Sequence, residues 1–200
     1  MSYNVNAAQG LKPYRYGTGA LYNGAVNKYN IASAYATGLF QFDPVTVLAD
    51  GTIGIGVAGS ACLGVFMGVK YTDTTGFFWH RPNWIASTAL ATGTTAEALI
   101  ADDPNLWFTM QETDAAGAAG TPLALADRNF NINFRIGTGN LATGQSTTSI
   151  SNASEAGTAT LNMKIMDLDP YPGNAVGTFA NWIVAWNNHI FKGGTGTAGV

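Results

Sequence analysis

The side chains best suited to reaction chemistry are two histidines, His80 and His189, which lie far apart in the chain. A histidine can serve as a general base or bind a metal ion when suitable partners converge on it. The run Gly144-Gln145-Ser146 begins like a nucleophile elbow, but Thr148 stands where that motif has its second glycine. The lone cysteine, Cys62, adds no metal-ligand spacing. We therefore predict no catalytic residue, no metal site and no cofactor.

Acidic residues and glycines give two further patterns. The pairs Asp102-Asp103 and Asp167-x-Asp169 could hold a structural calcium ion, but each is followed directly by a proline. Aspartates in such positions ordinarily cap turns, which is the interpretation we favour. Residues 54–59 match the G-x-G-x-x-G fingerprint, yet a strand-like run follows them where nucleotide binding requires a helix. We expect no nucleotide site there.

Aromatic side chains are concentrated at residues 77–84 (FFWHRPNW) and 182–191 (WIVAWNNHIF). Core packing explains most of them. Tryptophan and arginine are also the usual anchors of protein interfaces, so Trp79, Arg81 and Trp84 are candidate partner contacts. The alternative is a glycan-binding face, which needs two exposed tryptophans side by side; the four candidates are Trp79, Trp84, Trp182 and Trp186.

The composition narrows the classes of protein. Charged residues make up 10% of the 200 residues, against roughly 25% in an average soluble protein. The hydrophobic content of 46% argues against disorder, and the net charge of −3 argues against direct nucleic-acid binding. A single cysteine excludes an internal disulfide framework. So few charges are typical of a surface that is covered by other subunits.

The first residues differ from the rest of the chain. Residues 1–42 contain three cationic side chains and no acidic one, whereas all twelve acidic residues follow. Residues 1–27 show no strand or helix periodicity, and we predict an extended N-terminal arm that becomes ordered on a partner. Its candidate contacts are Tyr14, Arg15, Tyr16 and Tyr22, since tyrosine and arginine anchor interfaces. A mobile terminus is the alternative.

The elements that position these residues are short strands separated by turn residues. The sequence predicts strands at residues 31–35, 45–48, 52–57, 63–71, 77–80, 96–101, 107–112, 130–136, 161–168 and 179–191. The apolar run 53–69 contains five glycines and two alternating stretches, which favours two strands over a membrane-spanning helix. The prediction is an all-β protein, a β-barrel or β-sandwich, with a core domain at 28–192. Residues 137–160 are expected to form a projecting loop or hairpin and residues 193–200 a flexible tail.

Three stretches, residues 42–73, 101–112 and 163–191, resemble the head decoration or cement proteins of tailed bacteriophages. The shared features are a D-P-V opening, D-G-T-I, an L-G-V-F-x-G-x-x-Y strand, a D-D-P turn and a closing W-x-V-x-x-N-x-H strand. The resemblance implies a virion structural protein on the exterior of an HK97-like capsid, assembled in the host cytoplasm. It also implies a homotrimer that binds the major capsid protein, with no catalytic residues.

The leading hypothesis is therefore a capsid cement subunit, with no direct nucleic-acid contact and no membrane association. A glycan-binding or tail-associated virion module on the same β scaffold is the alternative. A hydrolytic enzyme is the third hypothesis, and it needs a serine or carboxylate within hydrogen-bonding distance of His80 or His189.

Overall fold

The computed structural model describes residues 4–193 and 195–199 and confirms an all-β fold. Within these residues the helical structure is limited to two single 3-10 turns, Leu125–Asp127 and Ile190–Lys192. The strands are β1 Lys12–Tyr16, β2 Asn27–Ile31, β3 Pro44–Val47, β4 Ile53–Ile55, β5 Gly64–Thr72, β6 Phe78–Arg81, β7 Ala96–Ala101, β8 Leu106–Thr113, β9 Asn131–Ile132, β10 Phe134–Arg135, β11 Ser149–Ser151, β12 Met163–Leu168 and β13 Asn181–Trp186.

The first sheet is nearly a closed barrel. Its order is β10-β11-β8-β13-β12-β9, with β1 paired to β8. Its two end strands, β9 and β10, are separated in the chain only by Asn133, so one extended segment joins both ends of the sheet. The predicted strand 130–136 is thus two short strands with different partners: Ile132 is opposite Met163, and Phe134 is opposite Ile150.

The second sheet has the order β2-β7-β5-β3-β4, with β6 paired to β5. Its central strand β5 is mostly buried, with Val65 in one core group and Phe66 in the other, and it has a bulge between Phe66 and Gly68. Gly64 begins this strand in close contact with the chain beyond β7. A Cβ atom there would overlap Ala101 O and lie 2.8 Å from Asp102 Cα.

Two groups of buried side chains make up the core. The larger group lines the barrel and includes Phe108, Met110 and Trp182, and it also takes in Val65 from the second sheet. The smaller group belongs to the second sheet and includes Phe66, Trp84 and Ile100. The period-two alternation of each long strand directs these residues inward. No helix in the described ranges has the length and apolar character needed to cross a membrane.

Residues 137–160 are less exposed than predicted. Ser146, Thr148 and Ile150 are buried, and Ser149–Ser151 forms strand β11 parallel to β8. The reason is that small hydroxyl side chains here satisfy buried partners; Thr113 and Ser149, for example, share a 2.6 Å hydrogen bond between hydroxyl groups. A low-charge run of serine and threonine can therefore be interior, whereas we expected it to project.

Both termini pack against the body over their described lengths. The prediction of residues 1–27 without strand structure is wrong at Lys12–Tyr16, which pairs with β8, and Leu11 is fully buried. In the tail, Thr197 N donates to Asn187 Oδ1 and Thr197 O accepts from Asn131 Nδ2. Residues 1–3, 194 and 200, which belong to the predicted arm and tail, lie outside the described residues. Ordering of the arm on a partner stays a prediction.

Candidate functional site

An exposed aromatic cluster stands on the turn between β5 and β6. Phe77 and Phe78 have 58% and 61% of their surface exposed, and Trp79 beside them is half-buried. We call residues 73–81 the aromatic hairpin. Large adjacent apolar side chains on a surface mark contact sites more often than isolated ones do.

The turn of the aromatic hairpin is held by one carboxylate, that of Asp73. Its Oδ1 accepts hydrogen bonds from the Thr75 hydroxyl (2.6 Å), Thr75 N (2.9 Å) and Phe77 N (3.1 Å). Its Oδ2 accepts a 2.8 Å bond from Trp79 Nε1. The hydrogen bonds from the Thr75 and Trp79 side chains stabilise the carboxylate and lower the pKa of Asp73 to about 2. The turn and the tryptophan ring are therefore fixed together before any partner arrives.

Contacts with the Trp79 ring extend this order to Phe77 and Arg81. The rings of Phe77 and Trp79 lie 4.7 Å apart between centroids. The guanidinium of Arg81 lies 3.7 Å above the Trp79 ring, which is a cation–π contact. Within the described residues the ion pairs are Lys28–Glu97 and Arg128–Asp167, so the charge of Arg81 has no carboxylate partner. The hairpin thus presents an aromatic surface with a cation that makes no ion pair.

The aromatic hairpin also forms an open sheet edge. Among the described residues, β6 pairs with β5 alone, with Tyr71 opposite Trp79 and Lys70 opposite His80. The outer edge of such a strand carries unpaired backbone N–H and C=O groups that another chain can pair with. Trp79 and Arg81, both predicted as partner contacts, are therefore placed together on an accessible strand.

The other predicted contacts cluster separately, around β1 in the first sheet. The guanidinium of Arg15 lies 4.7 Å from the Trp107 ring and 5.5 Å from the Tyr14 ring. The rings of Tyr16 and Tyr22 are 6.2 Å apart, and both pack against the barrel core. Burial raises the pKa of Tyr22 to about 12. These side chains already have partners within their own chain, and each keeps only part of its surface exposed.

Trp84 does not belong to a contact surface, which corrects the sequence prediction. It is fully buried, donates from Nε1 to Tyr35 O and packs edge-on against Tyr71. Trp182 and Trp186 are buried in the barrel core as well. The predicted tryptophan-lined glycan face is therefore absent, because three of its four candidate residues face inward. Trp182 and Trp186 have strand spacing and share one face of β13, but that face points into the barrel core.

The two histidines occupy different environments. His80 is exposed on β6. His189 is fully buried; its Nδ1 accepts a 3.1 Å hydrogen bond from Phe191 N, and its ring lies between those of Trp186 and Phe191. Burial lowers the pKa of His189 to about 4. A neutral, buried ring whose hydrogen-bond partner is a backbone N–H is typical of a structural histidine. A general base needs a serine or carboxylate within hydrogen-bonding distance, and among the described residues His189 has no hydrogen bond to either.

The serine of the elbow-like run is equally structural. Ser146 Oγ donates a 2.5 Å hydrogen bond to Asp43 Oδ1, and Thr148 Oγ1 donates to the same oxygen at 3.0 Å. Phe40 N donates to Asp43 Oδ2 at 2.8 Å. Burial raises the pKa of Asp43, although these hydrogen bonds oppose the shift. The cluster ties residues 146–148 to the second sheet.

The acidic pairs make structural hydrogen bonds and ion pairs within the chain. Asp103 and Asp169 accept hydrogen bonds from backbone N–H groups two residues further on, as turn caps do. Asp102 instead accepts from Asn27 Nδ2 and, at 2.6 Å, from the Tyr29 hydroxyl, and so ties β2 to the end of β7. Nowhere in the described ranges do three or more histidine, cysteine or acidic side chains gather as metal ligands.

The exposure of Phe77 and Phe78 was not predicted, although the turn residues before them are visible in the sequence. Both residues were assigned to a strand. The preceding Asp73, Thr75 and Gly76 are turn residues, and aromatic residues directly after a turn lie at a hairpin tip, where little can cover them. Comparison with protein-family models, with curated proteins and with solved structures found no match for this chain.

Proposed function

We propose that this protein is a structural subunit of a tailed-bacteriophage virion, a cement or decoration protein that binds the capsid exterior and fastens adjacent major capsid subunits. We further propose that it works as a homotrimer. The observation that carries the adhesive role is the aromatic hairpin, and the assignment to a phage head follows the sequence resemblance.

The aromatic hairpin has the composition of an interface anchor. Phenylalanine, tryptophan and arginine supply much of the binding energy at protein interfaces. The hydrogen bond to Asp73 and the guanidinium of Arg81 hold the Trp79 ring in one arrangement, so little conformational entropy of this side chain is lost when the hairpin binds. A fixed, exposed aromatic patch therefore favours adhesion.

The low charge of the whole chain supports the same role. Charged residues are 10% of the sequence, and exposed apolar side chains such as Leu21 and Leu141 occur outside the hairpin as well. Such a surface is suited to permanent contact with neighbouring subunits. In a trimer, three hairpins would bind one shell together, and several weak contacts then give strong overall attachment.

The test is the heat resistance of capsids from the encoding phage, assembled without this protein and then mixed with purified chain. We expect the shell to melt at a higher temperature with the wild-type protein, by calorimetry. The double variant Phe77→Ser, Phe78→Ser should lose most of this gain. Equal melting temperatures with and without the wild-type protein would contradict the cement role.

A matched control separates the aromatic hairpin from general surface hydrophobicity. Phe191 is 57% exposed and lies outside the hairpin, on the Ile190–Lys192 turn. The variant Phe191→Ser removes one exposed phenylalanine, about half of the apolar area that the double variant removes, and should stabilise the shell as the wild type does. If it fails as completely as the double variant, adhesion does not depend on the hairpin in particular.

A further inference from the structure

A second surface of the protein has the features of a ligand site. A groove of about 450 Å³ lies on the outer face of the first sheet, between the N-terminal segment and the loop after β12. Its floor is formed by outward-facing residues of three neighbouring strands: Lys12 of β1, Thr109 and Gln111 of β8, and Asn181 of β13. The residues that alternate with them, such as Phe108 and Met110, face the barrel core. We call this the polar groove; its volume is in the range of small-molecule sites.

The walls of the polar groove are held in place by carboxamide side chains. Gln111 Nε2 donates to Val5 O and Gln111 Oε1 accepts from Ala7 N, both at 2.8 Å, which fixes the N-terminal wall. Asn174 Nδ2 donates to Asp169 O and Asn181 O, which fixes the opposite loop. The groove is therefore formed in advance of any ligand.

Other polar groups of the polar groove are left available. Within the described residues, the side chains of Gln9, Thr109 and Asn181 make no hydrogen bond. Lys12 and Asp169 attract each other electrostatically but are not within ion-pair distance, so a cation and an anion both face the groove. Together these groups offer hydrogen-bond donors and acceptors with no net charge.

We propose that the polar groove binds a neutral saccharide. Sugar hydroxyl groups both donate and accept, as carboxamides and threonine do, and they form stronger hydrogen bonds with an ammonium or a carboxylate. Tyr171, at the rim, is 71% exposed and can pack its ring against the C–H face of a sugar. One lysine balanced by Asp169 does not suit a phosphate ligand, and the polar floor does not suit an apolar one.

A peptide fits the polar groove less well. The central floor strand β8 is paired on both sides, with β1 and with β13, so an extended chain cannot add a strand beside β8. Recognition must come from side chains, and those present match hydroxyl groups. This proposal does not depend on the capsid role, because the aromatic hairpin and the polar groove share no residue.

The test is titration of the ¹⁵N-labelled full chain with neutral tetrasaccharides of glucose, galactose, mannose and N-acetylglucosamine, up to millimolar concentration. We expect at least one to shift the Thr109 backbone amide and the Asn181 side-chain amide signals. The variants Asn181→Ala and Thr109→Val remove polar groups that make no hydrogen bond within the described residues, so both should fold. Each should weaken binding about ten-fold, as should Tyr171→Ala.

The variant Phe78→Ser serves as the matched control, because it alters an exposed aromatic residue outside the groove and should leave saccharide affinity unchanged. Three results would overturn the proposal. They are no shift with any of the four sugars, shifts that all three groove variants retain, or equal binding of a neutral glycine–serine tetrapeptide.

Discussion

At the residue scale, the most unusual ionisable group is Glu112, a fully buried carboxyl in β8. Its Oε2 accepts a 2.8 Å hydrogen bond from Leu123 N, while its Oε1 has no partner among the described residues. Burial raises the pKa of Glu112 to about 7, and the hydrogen bond from Leu123 N only partly opposes that shift. The folded state therefore holds this proton more tightly than the unfolded chain does.

The first prediction concerns Glu112 and pH. A raised folded-state pKa gives stability that is complete below the unfolded pKa, near 4.5, and that is lost as pH rises through about 7. The shift corresponds to about 3 kcal/mol. The variant Glu112→Gln stays neutral at every pH. We therefore expect its unfolding free energy, relative to that of the wild type, to rise by up to this amount between pH 5 and pH 8. Denaturant titrations of both proteins give the difference, and parallel pH profiles would refute the assignment.

The second prediction concerns the buried cluster around Asp43. Ser146→Ala leaves Asp43 Oδ1 with one donor, Thr148, and an under-satisfied buried carboxylate is costly. We expect a loss of about 1–3 kcal/mol in unfolding free energy, measured by urea denaturation at neutral pH. The control Ser60→Ala changes an exposed serine and should stay within about 0.5 kcal/mol of the wild type. Equal effects of the two changes would show that the Asp43 cluster contributes nothing specific.

At the element scale, the close approach of β5 to the end of β7 depends on Gly64. A Cβ atom there meets main-chain atoms of Ala101 and Asp102, which cannot move aside as a flexible side chain would. We expect Gly64→Ala to cost about 1–3 kcal/mol by overpacking, seen as a lower urea midpoint. Gly157→Ala is the control, because the added methyl group makes only an ordinary contact at 3.4 Å. A midpoint unchanged by Gly64→Ala would mean that the strands separate without cost.

Long strands were predictable from the sequence, because apolar side chains recur in them at every second residue. The strand at Ala96–Ala101 has the bounds predicted, and β5 and β8 differ by a residue at the ends. Strand β1 was missed because its residues are half-buried and follow no alternation. Strand β11 was missed because its three residues pair with distant strands, a choice that local sequence does not encode.

The candidate site could be predicted only in part, for a related reason. Aromatic anchors such as Trp79 and Arg81 could be selected by type. Trp84 is a tryptophan like Trp79 and lies only three residues after Arg81, but it is buried in the core. Burial follows from how the two sheets fold around each chain segment, and spacing alone does not determine it. The polar groove could not be predicted at all, since its floor and walls come from four separate parts of the chain.

At the scale of the whole molecule, the described N-terminal residues belong to the fold. Leu11 is fully buried in the barrel core, next to the start of β1. We expect Leu11→Ala to reduce the unfolding free energy by about 2–5 kcal/mol, measured by denaturant titration. Leu21, which is 73% exposed, gives the control Leu21→Ala with little change. Equal stability of the two variants would show that this segment detaches readily and is free to act as an arm.

The single residue between β9 and β10 has a consequence for how the barrel opens. Asn133 is held on both sides: its backbone carbonyl accepts from Ser151 N, and its side chain accepts from Asn162 N. If β9 or β10 separated from its neighbouring strand, the other would be displaced too, because Asn133 joins them directly. The barrel therefore has no terminal strand there from which unzipping can start, and its backbone amides near this seam should exchange with solvent only when the whole ring comes apart.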